Sequence, residues 1–501
     1  MRLVLFCVFL YLVEVIQASP TTNITNTTAN DSFTGPSFTT RTIWTITSSS
    51  ILTLFACVYT AIHPNIPSPK HKGYPHILWR QLGTIMMALI APELIVTWAM
   101  RQWLSAHEVT IQFETSGYPN IRPESEESVS AETPETGNPF VHFFLLWQEA
   151  TGHLFRLFIE GVLSVLVSLW HSLCAPVRWT ARWIKSEEFE PDPEGFTWTQ
   201  THSFFVLMGG FMLYVNGEPY CTLQPEHIRK LIRRGCIDAP TLTSDQIDDR
   251  SKGNAISKGL VMLQVAWFVM QLITRAIYYL EITKLEVGTL AFAVLNFLTY
   301  AVWWHKPLGV QCPHPVYWKS TESELKYYND VCFTGESAPP QLLPRVFRPI
   351  IELTGWADIP TSRRLQVQTF DGSIKLKVSD RMVLQQAALY MATIFGGIHC
   401  MAWFFAFPTH QEQVLWRMSA VATTCTPWLG LNAYLVREII NSVQRLPNSA
   451  KHVIWVVICS AFAMLYIIAR AVLLVLMFTT LRDLHPDAYK AVLWTSLVPH
   501  L

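Results

Sequence analysis

The stretch from Lys258 to Leu308 constrains this chain more than any other. Two apolar runs, Gly259–Ile282 and Val287–Trp304, are separated by a short, mostly polar link, Thr283–Glu286. Each is long enough to cross a bilayer core as a helix, which takes about 17–25 residues. Together they predict a transmembrane hairpin. Trp303 and Trp304 end the second run, and His305 and Lys306 follow. Indole rings favour the headgroup layer, and a lysine just beyond favours the cytosolic side. Lys252 and Lys258 flank the first run, so both outer ends of the hairpin are expected in the cytosol. Gln264, Gln271 and Arg275 share one helix face of the first run. That face is expected to make a helix–helix contact or to line a polar pathway, because a cation in lipid is costly.

Composition agrees with a membrane chain. Of 501 residues, 50% are hydrophobic and 15% charged, with a mean hydropathy of +0.25; a soluble domain carries about 25% charge. Lys plus Arg equals Asp plus Glu at 37 each, which removes a global bias toward nucleic acid. Arg229, Lys230, Arg233 and Arg234 make a basic face, read as a solvated face near anionic headgroups, with no nucleic-acid partner. The ten cysteines form no CxxC pair. Cys57, Cys400, Cys425 and Cys459 sit in apolar runs as small hydrophobes. Cys221, Cys236, Cys312 and Cys332, with His314, lack metal-ligand spacing, so no metal and no cofactor is expected.

Met1–Ala18 carries Arg2, an apolar run and a small residue at its end, the pattern of a secretory signal peptide. The sequons at Asn23, Asn26 and Asn30 follow at once and predict a glycosylated lumenal or extracellular tail over 19–42. Residues 43–104 are expected to hold a first transmembrane pair, Ile43–Ile62 and Leu82–Met100, the second broken by Pro92-Glu93 as a kinked span or an in-plane segment. A mobile acidic linker is expected over 105–139 and a helix with one polar stripe over 140–190, in the interface or across the bilayer. Thr199–Asn216 is too short in its apolar part for a comfortable span and reads as re-entrant or interfacial. Residues 218–257 read as a cytosolic helical module, opened by Pro225 and closed by Gly235. Residues 309–381 read as a cytosolic segment with one β-hairpin around Asp371-Gly372. Three more spans follow, about Leu384–Phe407, Leu415–Val436 and Val453–Phe478, before a tail over 479–501.

The fold class is therefore all-α, a polytopic transmembrane bundle of six to eight spans with small cytosolic insertions. Basic loops placed in the cytosol put both termini on the opposite side whether the count is six or eight. This parity disfavours a seven-span receptor topology.

Glu93, Glu160, Arg275, His399 and Arg470 are ionisable groups within apolar runs, and form the candidate ligand or ion path. Arg470 needs a partner, and Glu93 is the first choice. There is no HExxH, GxSxG, P-loop or GxGxxG, so no catalytic set is identified. Three functions compete. A non-enzymatic scaffold or sensor would engage a cytosolic protein partner through 218–254 or 309–381. A transporter would gather Glu93, Arg275 and Arg470 around a hydrated cavity. A lipid-active enzyme would need a histidine and a carboxylate in contact at the interface.

Six stretches carry a family resemblance: HPNIPSP (His63–Pro69), APELIVTWAMRQW (Ala91–Trp103), WTQTHSFFVLMGGF (Trp198–Phe211), DDRSKGNAISKGLVMLQVAWFVMQ (Asp248–Gln271), the run Ile282–Pro313, and LRDLHPDAYKAVLWTSLVPHL (Leu481–Leu501). The chain resembles a family of polytopic membrane proteins of filamentous and mushroom-forming fungi, mostly of unknown function. The resemblance covers about half the chain, in the family's order. It implies membrane residence and a fungal source, and implies no activity; the signal-peptide reading places the chain in a secretory-pathway membrane, of the endoplasmic reticulum, plasma membrane or vacuole. Ser105–Glu190 looks like an insertion relative to that family, and Asn254 stands where an acid is frequent.

Overall fold

The computed structural model describes residues 38–67, 74–119, 149–150, 152–154, 156, 197–251, 255–319, 365–367, 372–442 and 447–492. Glu160, the three sequons and the signal-peptide segment lie outside them. The helices are α1 (Ile43–Ala61), α2 (Tyr74–Ile90), α3 (Pro92–Thr115), α4 (Gln200–Leu207), α5 (Pro225–Arg233), α6 (Ser244–Arg250), α7 (Ala255–Ile277), α8 (Lys284–Val302), α9 (Val378–Cys400), α10 (His410–Ser442) and α11 (Asn448–Thr479). The strands are β1 (Phe38–Thr40), β2 (Phe211–Val215), β3 (Glu218–Thr222), β4 (His314–Tyr317) and β5 (Lys490–Val492).

Among the described residues three helical stretches, Lys284–Val302, Val378–Phe404 and Ser449–Arg482, are long and apolar enough to cross a membrane, and a fourth if the bent pair Leu82–Ile90 and Pro92–Thr115 counts as one span. The two apolar runs of the expected hairpin form α7 and α8; α8 is long and apolar enough to cross, whereas the apolar part of α7, Val261–Ile277, is shorter. Its turn is pinned by Thr283, whose hydroxyl accepts from the Glu286 N–H while the Glu286 carboxylate accepts from the Thr283 N–H at 2.8 Å. This reciprocal cap satisfies two donors that a helix start leaves open. On the helix face singled out in the sequence, Gln264 donates to Thr53 of α1 at 3.2 Å, a helix–helix contact.

Pro92 ends α2 and starts α3. The proline ring forces the preceding residue out of helical geometry, and Ala91 sits at φ −143°, ψ 72°. The two helices meet at 111°. α3 then runs to Thr115, past the point where the linker was expected. Ser105, Ala106, Val109 and Phe113 are fully buried, so this part of the segment is core.

Three apolar cores are stacked along the bundle. The first joins the ends of α1 and α3 to an end layer of α4, α5, α6 and a small sheet of order β3-β2-β4. The second lies between α3, α8 and α9. The third joins the start of α8 to α11, Trp416 of α10 and the turn after α9. Gly396 lets α9 approach α10 closely: a Cβ there would meet the Thr424 backbone at 2.8 Å.

Thr199–Asn216, expected as a re-entrant or interfacial element, forms α4 followed by β2, inside the first core. Gly210 is required there, because a Cβ would lie 2.4 Å from the Phe205 carbonyl oxygen. Among the described residues a β-hairpin joins β2 to β3 through Asn216-Gly217, both at positive φ (52° and 82°). Of the segment expected to form one, 365–367 and 372–377 are described and contain no strand.

β1 pairs antiparallel with β5, Thr39 opposite Ala491. The first and last described segments therefore meet, and Arg41 and Arg275 bind that clasp to the tip of the α7–α8 hairpin.

Candidate functional site

The break between α2 and α3 leaves two carbonyls, on Leu89 and Ile90, without the N–H groups of Glu93 and Leu94 that a continuous helix would offer. The Leu94 N–H goes to the Ala91 carbonyl instead, at 3.1 Å. Arg470 of α11 fills the gap: Nε donates to Ile90 O and Nη2 to Leu89 O, each at 2.9 Å. Its guanidinium lies 3.9 Å from the Phe395 ring centre and 5.3 Å from that of Phe292. A cation at a helix C-terminus also meets the negative end of the helix dipole. Glu93, in the first turn of α3, accepts from the Tyr466 hydroxyl at 2.6 Å. His399 packs on Phe395 with rings 4.7 Å apart, its Nδ1 donating to the Phe395 carbonyl at 2.8 Å. Glu93, His399 and Arg470 thus meet in one buried cluster, joined by Tyr466, which the sequence did not single out. Glu93 Oε2, His399 Nε2 and Arg470 Nη1 have no hydrogen-bond partner among the described residues.

Arg275 is elsewhere. It stands in the last turn of α7 and gathers main-chain carbonyls of the hairpin tip and the clasp: Glu281, Lys490 (2.6 Å), Asp487 (3.2 Å) and Ala488 (3.3 Å). Beside it Arg41 grips the Glu286 carboxylate with two nitrogens, at 2.6 and 3.3 Å.

Lys306 departs most from the sequence reading. Rather than marking a wet flank, it is 1% exposed. Its ammonium donates to His63 O at 2.5 Å and to Gln102 Oε1 at 2.7 Å, between the rings of Trp303 (4.3 Å) and Trp98 (4.9 Å). Trp303 Nε1 donates to the same Gln102 oxygen at 3.1 Å. Gly372, at φ +96°, closes this cage, since a Cβ there would lie 2.7 Å from Gln102 Nε2. The residues come from the HPN stretch, α3 and the end of α8.

One device recurs. Lys284 donates to the Ala406 carbonyl with the Phe407 ring 4.9 Å away, and Arg417 donates twice to Trp403 O beneath its own ring contact. Each cation takes main-chain carbonyls where a helix stops, and four of the five also rest on an aromatic face, Arg275 being the exception. An unpaired carbonyl in an apolar interior costs several kcal/mol. A long cationic side chain bonds it, and a ring face compensates part of the lost hydration.

The end layer holds a different polar site. His202 of α4 accepts the Thr199 N–H at Nδ1 (3.1 Å) and donates from Nε2 to Leu242 O (2.7 Å), which fixes the neutral form. Burial holds its pKa below the usual range. Among the described residues no group of three His, Cys, Asp or Glu side chains is placed to hold a metal.

A family model described as a family of unknown function, DUF8562, matches residues 5–131, 178–331 and 370–501. That is most of the chain, and the chain belongs to this family. One unmatched interval, 132–177, falls inside the segment that reads as an insertion. No curated protein and no solved structure matches the chain.

Proposed function

We propose that this member of DUF8562 is an integral membrane protein of six spanning helices that serves as a non-enzymatic scaffold. The observation that carries the reading is the use of its buried cations. Arg275, Lys284, Lys306 and Arg470 spend their donors on carbonyls of their own chain at helix ends. They lock a bundle, and they stand in separate places rather than along one path.

The lipid-facing surface supports the membrane part. Trp44, Leu263, Met270, Met418, Val457 and Ile468 are all exposed, and only 28% of the most apolar window of Ser449–Arg482 is buried. Soluble chains do not leave such a belt open to water. In this reading α1, α7, α8, α9, α10 and α11 cross the bilayer. The bent pair α2–α3 enters from the side of the end layer and returns to it. Lys230, Arg250, Lys319, Lys377 and Arg381 cluster at that side and favour the cytosol. The β1–β5 clasp, both termini and the glycosylation sites Asn23, Asn26 and Asn30 then face the lumen of a secretory-pathway membrane. In this reading the end layer is the surface that meets a cytosolic protein partner.

A second reading, transport, is favoured by the unpartnered atoms of Glu93, His399 and Arg470. Reconstitution into liposomes with a trapped pH dye and an imposed potassium gradient separates the two. The scaffold reading expects proton flux equal to that of empty vesicles. Flux that Glu93→Gln abolishes establishes transport instead.

A further inference from the structure

We propose that three protruding rings, Trp44, Tyr279 and Phe404, seat the clasped end of the bundle in the headgroup layer of a zwitterionic leaflet, an inference that rests on the membrane reading above. They are 70%, 95% and 89% exposed. They stand on three separate elements: the first turn of α1, the turn between α7 and α8, and the turn after α9. All three belong to one end of the molecule. Arg41, just ahead of α1, holds Glu286 at the start of α8 at 2.6 Å. Lys284, in the first turn of α8, donates to the Ala406 carbonyl, two residues beyond Phe404.

Each ring continues an exposed apolar stripe along its own helix. On α1, Ile51 and Phe55 follow Trp44 on the same face. On α7, Met270, Ile273 and Ile277 lead up to Tyr279. On α9, Ile394 leads through Met401 to Phe404. These stripes are the surface that the membrane reading gives to acyl chains, so the rings stand where that surface ends. Indole and phenol rings favour this layer because the ring lies against apolar carbon while the N–H or O–H reaches headgroups and water. Phe404 lacks such a polar edge and suits the acyl side of the boundary.

Charge at this end selects the kind of surface. Arg41 pairs with Glu286, Arg482 with Glu412 and Lys490 with Asp487, at 2.6, 2.8 and 2.7 Å. Paired charges of both signs leave little field to draw in a strongly charged partner. A headgroup that carries its own balanced charges fits such a surface. Arg275 ties the same turn to the clasp through Lys490 O and Ala488 O. The rings therefore hold the β1–β5 clasp against lipid.

The test uses the full-length protein with p-benzoylphenylalanine, a photoreactive ring, replacing Tyr279 or Phe404. Illumination in nanodiscs of dioleoylphosphatidylcholine is followed by mass spectrometry of the adducts. The control replaces Tyr317, an exposed ring of β4 in the end layer. Lipid adducts at Tyr279 and Phe404 should exceed those at Tyr317 at least tenfold, with the new bond in the glycerol region or on the first acyl carbons. Yields equal to the control, or bonds only near the acyl chain ends, would overturn the proposal while leaving the membrane reading intact. So would illumination in microsomes that yields protein adducts in excess of lipid adducts, which assigns the rings to a protein partner. A chain soluble without detergent would instead sink the membrane reading itself.

Discussion

Replacing Arg470 by methionine is the sharpest perturbation this structure offers. Methionine keeps much of the apolar stem and removes the charge and donors. Two charge-assisted hydrogen bonds to Leu89 O and Ile90 O are lost, each worth about 1.5–3 kcal/mol. The stacking on Phe395 goes too, worth about 2 kcal/mol when desolvated. Against these stands the cost of burying a guanidinium, which the variant no longer bears. The net loss should be about 2–6 kcal/mol, because the Leu89 and Ile90 carbonyls are left buried without these donors, at about 1–3 kcal/mol each. Glu93→Gln should cost less, since the amide oxygen still accepts from Tyr466 and Arg470 keeps its carbonyls. The double variant should cost less than the sum by at least about 1 kcal/mol, the mark of directly coupled neighbours. Equilibrium unfolding in mixed micelles, followed by circular dichroism, measures all three. A change within about 0.5 kcal/mol for Arg470→Met would refute the reasoning, as would strict additivity.

Other expectations follow from the same structure. His202, His227 and His314 are each held below the usual histidine range, chiefly by burial. A depressed folded pKa means the unfolded chain binds protons first, so stability is complete above about pH 6.5 and falls as pH drops toward the folded values. The thermal midpoint should decline from pH 7.5 to pH 5, and His202→Gln should flatten the slope; a midpoint that rises on acidification contradicts this. Gly372→Ala places a Cβ 2.7 Å from Gln102 Nε2 and 2.9 Å from Leu207 O at a positive φ. It should destabilise the protein by about 2 kcal/mol or more, read by the same unfolding assay. Arg41→Met removes the bidentate partner of Glu286 and should cost about 3 kcal/mol, with faster amide exchange in β1 and β5. Unchanged exchange there would show that the clasp does not depend on that pair.

Much of the long-helix framework was legible because it rests on local chemistry. Run length marks α8 and α11, and a proline in an apolar run marks the break at Ala91. Arg470 was expected to need a partner because a cation in an apolar run is costly; the bonds it makes are to the Ile90 and Leu89 carbonyls, while Glu93 accepts from Tyr466. Lys306 was not legible. A lysine after two tryptophans has the signature of a wet flank, and its true acceptors, His63 O and Gln102, lie 243 and 204 residues away in sequence. Tyr466 escaped because a tyrosine in an apolar run looks like any other aromatic. The turn at Asn216-Gly217 carries the strongest short hairpin signal, but a boundary drawn at Asn216 divides it. At Asp371-Gly372, the glycine gives space beside Gln102.

We propose that the chain crosses a membrane an even number of times, with the β1–β5 clasp on the lumenal side. Glycosylation mapping tests this most directly. An acceptor sequon on a flexible extension after Leu501 is expressed with Asn23, Asn26 and Asn30 intact or replaced by Gln, and glycosidase shifts are read after carbonate extraction. The account predicts sugars on both ends, none on a sequon inserted between β4 and α9, and retention in the membrane pellet. A modified N-terminal tail with an unmodified C-terminal extension, or release of the chain by carbonate, would contradict it.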